Sequence, residues 1–400
     1  MKKKIDIKTL LPVLIPLIAA VLVVSTLAIS GKIAKNKDEA SPSATFTQSE
    51  VTETEKKIED SKVTIVAVGD NLIHDTLIAA GMNDNGTRNY EAFYENISPY
   101  IKAADIAVIN QETMLGGDSF PFKGYPCFNT PWEVGEAAID AGFDVFTCAT
   151  NHSMDVERTA GIEKELEFFS KHPEVTHIGT YGSEEDYNAI TYYEKNGITF
   201  ALLNYTYGTN GISIPENKYY SVTLLREDKV RKDVTEARKN ADVVIVFPHW
   251  GTEDSHGINA QQKKYVKIFS ELGVDIVIGT HPHVLEPVEW VKNEETGKKM
   301  LVYYSLGNFI SHQAHANELV GGMAEITVER VDGEIQITNA KLAPVVTFFN
   351  RPSGKYKFTV YKFSDYTSEL ANSQSRDDLS VKYAENLAKE YISEEFLDLN

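Results

Sequence analysis

Eight residues with donor or proton-carrying side chains stand directly after short apolar runs. Asp70 follows Val63–Val68 in Gly69-Asp70-Asn71, and Glu112 follows Ile106–Ile109 in Asn110-Gln111-Glu112-Thr113. Asn151, His152 and Asp155 follow Val145–Thr147. His249 follows Val243–Phe247, and His281 and His283, with Pro282 between them, follow Ile276–Ile278. Alone, each has an ordinary explanation: a hydrogen-bonded structural histidine, or an aspartate capping the next helix. Runs of this kind read as buried strands, and ligand sites of α/β sheets lie at the carboxyl ends of strands. Five strands delivering Asp, Glu, Asn and His to one edge therefore read as a metal cluster built from Asp70, Glu112, Asn151, His152, His249, His281 and His283.

The donor types narrow the ion. Carboxylates, an amide oxygen and imidazoles without a thiolate suit one or two divalent ions of Mn, Fe, Zn or Mg. The two imidazoles of His281-Pro282-His283 are expected on one face of an extended segment. Asp155 is expected to orient His152 or cap a helix rather than bind metal. Asn110, Lys123 and Asn308 are the candidate substrate-binding residues. Lys123 lies with Tyr125 in a Pro/Gly-rich loop that caps the site, and Asn308 lies in the Gly307-Asn308-Phe309 turn. His172, His177 and His256 read as surface residues, and His312 and His315 as residues near the cleft.

The elements that must hold these residues alternate. Helical patterns span Trp132–Ala141 after Thr130-Pro131, Ile162–Ser170, Asp228–Lys239, and Gln261–Leu272 stopped by Gly273. Strand–helix alternation predicts an α/β layered domain. From Leu301 the pattern becomes strands without helices (Leu301–Ser305, Gly322–Val328, Ile335–Leu342, Lys357–Tyr361). These form either a second sheet or an antiparallel extension. Ser380–Phe396 reads as a terminal helix.

The N-terminus speaks to compartment. After Lys2, Lys3, Lys4 and Lys8, Leu10–Ile29 runs twenty residues without a charge. That is about the length needed to span a ~30 Å hydrocarbon core. It predicts a single-pass, uncleaved signal anchor over residues 1–30, N-terminus inside. The polar residues 31–61 then form a flexible stalk, and the main domain, 62–350, is extracytoplasmic. Residues 351–400 read as a strand and helix extension. Net charge is −19, nearly all of it beyond the stalk. That argues against nonspecific nucleic-acid binding, because phosphate contacts need clustered Lys and Arg. Cys127 and Cys148 read as a loop thiol and a buried thiol, with a bridge allowed in an oxidising space.

In this order, Gly69-Asp70, Asn110…Glu112, Asn151-His152 with Asp155, His249-Trp250-Gly251, Gly279…His281-Pro282-His283 and Ser305-Leu306-Gly307-Asn308-Phe309 resemble the CapA family of poly-γ-glutamate capsule biosynthesis proteins. That family is related to calcineurin-like metallophosphoesterases. The resemblance covers roughly residues 62–350. It implies a four-layer α/β/β/α sandwich and a membrane-anchored partner of polymer synthase and export subunits. It also implies roles: Asn151 binding metal through its amide oxygen, His152 contacting the leaving-group oxygen, His249 and His281 as ligands, His283 on the other metal, and Glu112 in place of a bridging Asp. One position departs from the pattern. The relatives' first strand supplies Asp-x-His, and here Leu72 stands where the His belongs, with His74 or Asp75 as substitutes.

Three functions fit these residues. The first is a metal-dependent hydrolase acting on a phosphoester or an anionic envelope polymer, with His152 protonating the leaving group. The second is a non-catalytic anchoring subunit of a polymer synthase and export complex. The third is a cell-envelope metallophosphoesterase unrelated to capsule.

Overall fold

The computed structural model describes residues 60–400. The expected anchor at Leu10–Ile29 and nearly all of the stalk lie outside the described residues. Among the described residues no helix is long and apolar enough to cross a membrane.

The strands, in chain order, begin with β1 (Ser61–Asn71), β2 (Ile106–Asn110), β3 (Val145–Thr147), β4 (Thr176–Ile178) and β5 (Thr191–Lys195). They continue with β6 (Ile198–Thr206), β7 (Val243–His249), β8 (Ile276–Ile278), β9 (Val288–Lys292) and β10 (Lys299–Tyr303). Last come β11 (Asn308–Ile310), β12 (Val320–Val331), β13 (Glu334–Asn350) and β14 (Lys357–Lys362). One sheet has the order β14-β13-β12-β1-β2-β3-β4, with β11 against the end of β1; the other has β5-β6-β7-β8-β10-β9. β1 to β4 are parallel to one another, as are β6, β7, β8 and β10.

The near-continuous apolar runs of the parallel strands follow from burial on both faces. β7 is buried at every position. Its residues Val243, Ile245 and Phe247 join a core shared with Val63, Ile65, Val108 and Val145 of the first sheet. The intervening Val244 and Val246 turn outward to Val230, Val234, Val266 and Phe269, on the helices Glu227–Ala237 and Ala260–Leu272. On the other flank, Phe146 of β3 meets Phe169 of the helix Thr159–Ser170 at 5.4 Å between ring centroids. Helices therefore cover the outer sides of a two-sheet, mixed α/β body.

The segments after Leu301 resolve the open alternative in both directions. β10 belongs to the second sheet. β12 returns to the first and pairs antiparallel with β1 from Ser61↔Arg330 to Val68↔Met323. β13 and β14 extend that sheet outward. The helix Val381–Tyr391 follows, and Leu342 of β13 bridges to Leu397 near the C-terminus. The chain beyond Asn350 is thus continuous with the first sheet. Cys127 is exposed, Cys148 is buried, and both are free thiols.

Candidate metal centre

The chemistry-bearing residues converge from both sheets. β1, β2 and β3 bring Asp70, Glu112 and Asn151 from one side; β7 and β8 bring His249, His281 and His283 from the other. The first strand is pinned here by a backbone contact: the Asp70 N–H donates to Gly307 O at 3.0 Å. A Cβ on Gly69 would lie 1.8 Å from that carbonyl oxygen, so only glycine permits the approach. Asp70 is fully buried. Its Oδ1 accepts from Asn110 Nδ2 at 2.8 Å. Its Oδ2 accepts from the His281 backbone N–H at 3.2 Å and from His283 Nδ1 at 3.1 Å. Asn110 is held in turn by Thr147 Oγ1 at 2.8 Å. His249 lies between Thr280 Oγ1 and Asn151 Oδ1, each 2.9 Å from a ring nitrogen.

The segment carrying His281 and His283 is not extended, as the sequence reading expected. Both residues have left-handed backbones, φ 99° and φ 62°. Non-glycine residues adopt that region at a cost of about 1–3 kcal/mol each. A tight turn around Pro282, rather than strand pleat, brings the two imidazoles to 5.8 Å between centroids.

Two donor sets emerge, each with its ligand atoms within 4.8 Å of one another: Glu112, His249 and His281, and Asp70, Glu112 and His283. Glu112 belongs to both. Its two carboxylate oxygens and His281 Nδ1 are buried without a hydrogen-bond partner. Buried polar atoms are nearly always paired, so these orphans fit atoms that bind a cation. Asn151 adds an amide oxygen beside the first set. The hard-oxygen and imidazole composition is that of a divalent metal site.

The electrostatics agree. Burial, reinforced by the Asp70 charge, raises the Glu112 carboxyl well above the usual carboxylate range. Burial pulls the His283 ring down, but Glu112 and the bond to Asp70 outweigh it and hold the ring up to about 10. Both tendencies have one source, two carboxylates in a dry pocket, which a bound cation would reverse. Burial, with neighbouring imidazoles, drives His249 and His281 well below their usual range, leaving them neutral as ligation requires.

His152 stands at the rim. Its Nδ1 lies 2.6 Å from Asp155 Oδ2, and that oxygen also accepts from the Phe128 N–H at 2.8 Å. Phe128 packs edge-on against the ring at 4.7 Å. Asp155 thus orients the imidazole, which leaves Nε2 as the nitrogen available to a ligand. Asn308 supports the cluster rather than facing away from it: its Oδ1 lies 3.1 Å from His283 Nδ1. Lys123 is exposed and pairs by backbone with Asn129, without joining the cluster. His74 does not replace the missing first-strand histidine. Its Nδ1 lies 3.2 Å from Leu72 O and 3.3 Å from the His312 backbone nitrogen, and the residue belongs to none of the donor sets. His177 and His256 are packing residues, stacked on Phe169 and Tyr391, not free surface ones.

Glu253 was not singled out from the sequence. It forms a third set with His281 and His283. Its only local signal is its place four residues after His249, in the loop leaving β7.

Residues 64–313 match the family described as Bacterial capsule synthesis protein PGA_cap. The chain belongs to this family. Among curated relatives it is 33% identical over 231 residues to the PGA biosynthesis protein CapA of Bacillus subtilis (strain 168), covering 56% of this chain and 57% of that one. It is 27% identical over 266 residues to the Capsule biosynthesis protein CapA of Bacillus anthracis, covering 64% and 62%. The matches thus span less than two thirds of either relative. Among solved structures it is similar to the calcineurin-like phosphoesterase YfkN from Bacillus subtilis, with TM-score 0.38, 14% identity and coverage of 83% of this chain and 97% of that one. It is also similar to the 5'-nucleotidase from Candida albicans SC5314, with TM-score 0.39, 11% identity and coverage of 82% and 58%.

Proposed function

We propose that this PGA_cap protein serves capsule biosynthesis as a membrane-tethered, extracytoplasmic domain carrying a metal-dependent hydrolase site. The observation that carries the reading is Glu112, buried with both oxygens unpartnered and shared by two donor sets. Asp70, Glu112, Asn151, His249, His281 and His283 would hold the divalent metal. When bound, that metal supplies a Lewis acid that polarises a scissile phosphoryl or acyl group and acidifies a nearby water. His152, oriented by Asp155, donates the proton to the leaving group from Nε2. Asn110 and Asn308 fix Asp70 and His283 in place. No Lys or Arg pairs with the cluster among the described residues, so the metal is the positive charge that draws an anionic polymer or phosphoester.

The tether reading rests on the uncharged run Leu10–Ile29, and the capsule reading on the two relatives' names. Partners of this kind are the synthase and export subunits of a polymer. The full-length chain, purified in detergent and loaded with Mn²⁺, should hydrolyse a generic phosphodiester or monoester, and His152→Ala should abolish the turnover. Absence of turnover with every divalent metal, and no effect of His152→Ala, would remove the hydrolase reading. A non-catalytic subunit is favoured by one observation, the buried Leu72 two residues after Asp70, where the resemblance to metallophosphoesterases leads one to expect a histidine. In that case export would survive Asp70→Ala and His281→Ala but not deletion of Leu10–Ile29.

A further inference from the structure

We propose that the Tyr207 hydroxyl is a further substrate-binding and catalytic group of this site, donating a hydrogen bond to an anionic oxygen of the group under attack. This deepens the hydrolase reading above and rests on it.

The cluster has no basic side chain to meet an anion. Among the described residues every ion pair of Asp70 and Glu112 is with a histidine, and Lys123 does not join them. Beyond the metal, charge on a substrate oxygen must therefore be met by neutral donors. A neutral donor that is fixed beforehand costs no reorganisation when that charge develops.

β6 places such a donor. Its last residue, Thr206, pairs with His249, and the Tyr207 N–H donates to His249 O at 2.9 Å. The Tyr207 ring then lies on His281, 4.5 Å between centroids, and His281 shares a donor set with Glu112 and His249. Tyr207 is still 38% exposed, so it touches both the cluster and solvent.

The loop that follows is stiff. Thr209-Asn210-Gly211-Ile212 closes as a β-turn: the Ile212 N–H donates to Thr209 O at 2.8 Å, and Thr209 Oγ1 donates to Ile212 O at 2.7 Å. Asn210 and Gly211 have φ 48° and 76°, the left-handed pair of a type I′ turn, for which Asn-Gly is a favoured sequence. Asn210 reaches back to the site. Its Oδ1 accepts from Asn151 Nδ2 at 3.3 Å, and its Nδ2 lies 3.5 Å from His152 Nδ1. The Tyr207 hydroxyl donates to the same Oδ1 at 3.5 Å. That is long for an O–H donor, whose usual reach is about 2.5–3.0 Å, so the hydrogen is free to turn to a better acceptor. Tyr207, Asn151 and His152 thus share one neighbour, which sets the phenol beside the proposed proton donor.

The test separates the hydroxyl from the ring. The full-length chain in detergent, loaded with Mn²⁺, is compared with Tyr207→Phe and Tyr207→Ala. Metal content, calorimetric binding of inorganic phosphate and of acetate, and phosphodiester turnover are measured. Tyr207→Phe should keep its metal, bind anion about tenfold more weakly and lose about 10²-fold in kcat with a smaller change in KM. A loss confined to phosphate assigns the hydroxyl to a phosphoryl oxygen, and one confined to acetate assigns it to a carboxyl oxygen. If Tyr207→Phe matches the parent in anion binding and turnover, the inference is overturned while the hydrolase reading stands. A fall seen only in Tyr207→Ala would then leave the ring as packing on His281. A parent that binds neither anion also overturns it. If the parent shows no turnover but Tyr207→Phe weakens anion binding, the hydrolase reading fails and Tyr207 stands as an anion donor.

Discussion

Glu112 in the metal-free protein is a buried carboxyl with no donor on either oxygen, and its neighbour Asp70 is another acid. A group in that position destabilises the fold until a cation arrives. Glu112→Gln should therefore raise the melting temperature in chelator, by the equivalent of roughly 1–3 kcal/mol. It should also erase the further rise that Mn²⁺ gives the unaltered chain. Scanning fluorimetry with and without metal reads both effects, and an unchanged chelator melt would mean that Glu112 is paired in solution. His152→Ala separates chemistry from binding. It should lower kcat by about 10²- to 10⁴-fold and leave the metal content intact, because His152 lies in neither donor set. Asp155→Asn keeps the bond to the ring and should have a smaller effect on kcat.

At the scale of elements, the site depends on how closely backbones approach. Gly69→Ala would drive a methyl into Gly307 O and separate β1 from the turn before β11. A loss of about 3 kcal/mol or more is expected, read as a lowered denaturation midpoint. An Ala variant as stable as the parent would show that the two backbones are not in contact. Much of this framework is legible in the sequence, because β1, β2, β3, β7 and β8 are apolar on both faces and end in polar residues. Asp70, Glu112, Asn151 and His249 could be placed for that reason. Pairing is less legible: nothing local in Gly322–Val328 says that it returns to the edge of β1 rather than extending the second sheet. The turn at His281 and His283 was hidden for a different reason. A left-handed φ at two histidines has no residue signature, whereas glycine would have announced it. Glu253 was hidden because its place beside His281 and His283 depends on a hydrogen bond from Asp254 to Pro282, far along the chain.

For the whole molecule, stability should depend on pH through a buried acid that belongs to none of the donor sets. Burial raises Glu165 from 4.5 to about 7, against the opposing bonds from Thr180 Oγ1 and the Leu115 N–H. The folded state then holds a proton that the unfolded chain has released. Its contribution is fully present below about pH 4.5 and is lost as pH rises to about 7, roughly 3 kcal/mol in all. Glu165→Gln should remove that slope, so that the variant exceeds the parent at pH 8 and the two converge at pH 4.5. Denaturant titrations across the window give the difference directly; parallel curves would mean that Glu165 is solvated. The proposed function stands on one claim, that the two sheets meet around a divalent metal. Elemental analysis of the full-length chain after loading with Mn²⁺ or Zn²⁺ and desalting tests it most directly. One to two ions per chain are expected, lost in His281→Ala, whereas a chain that stays metal-free after loading would contradict it.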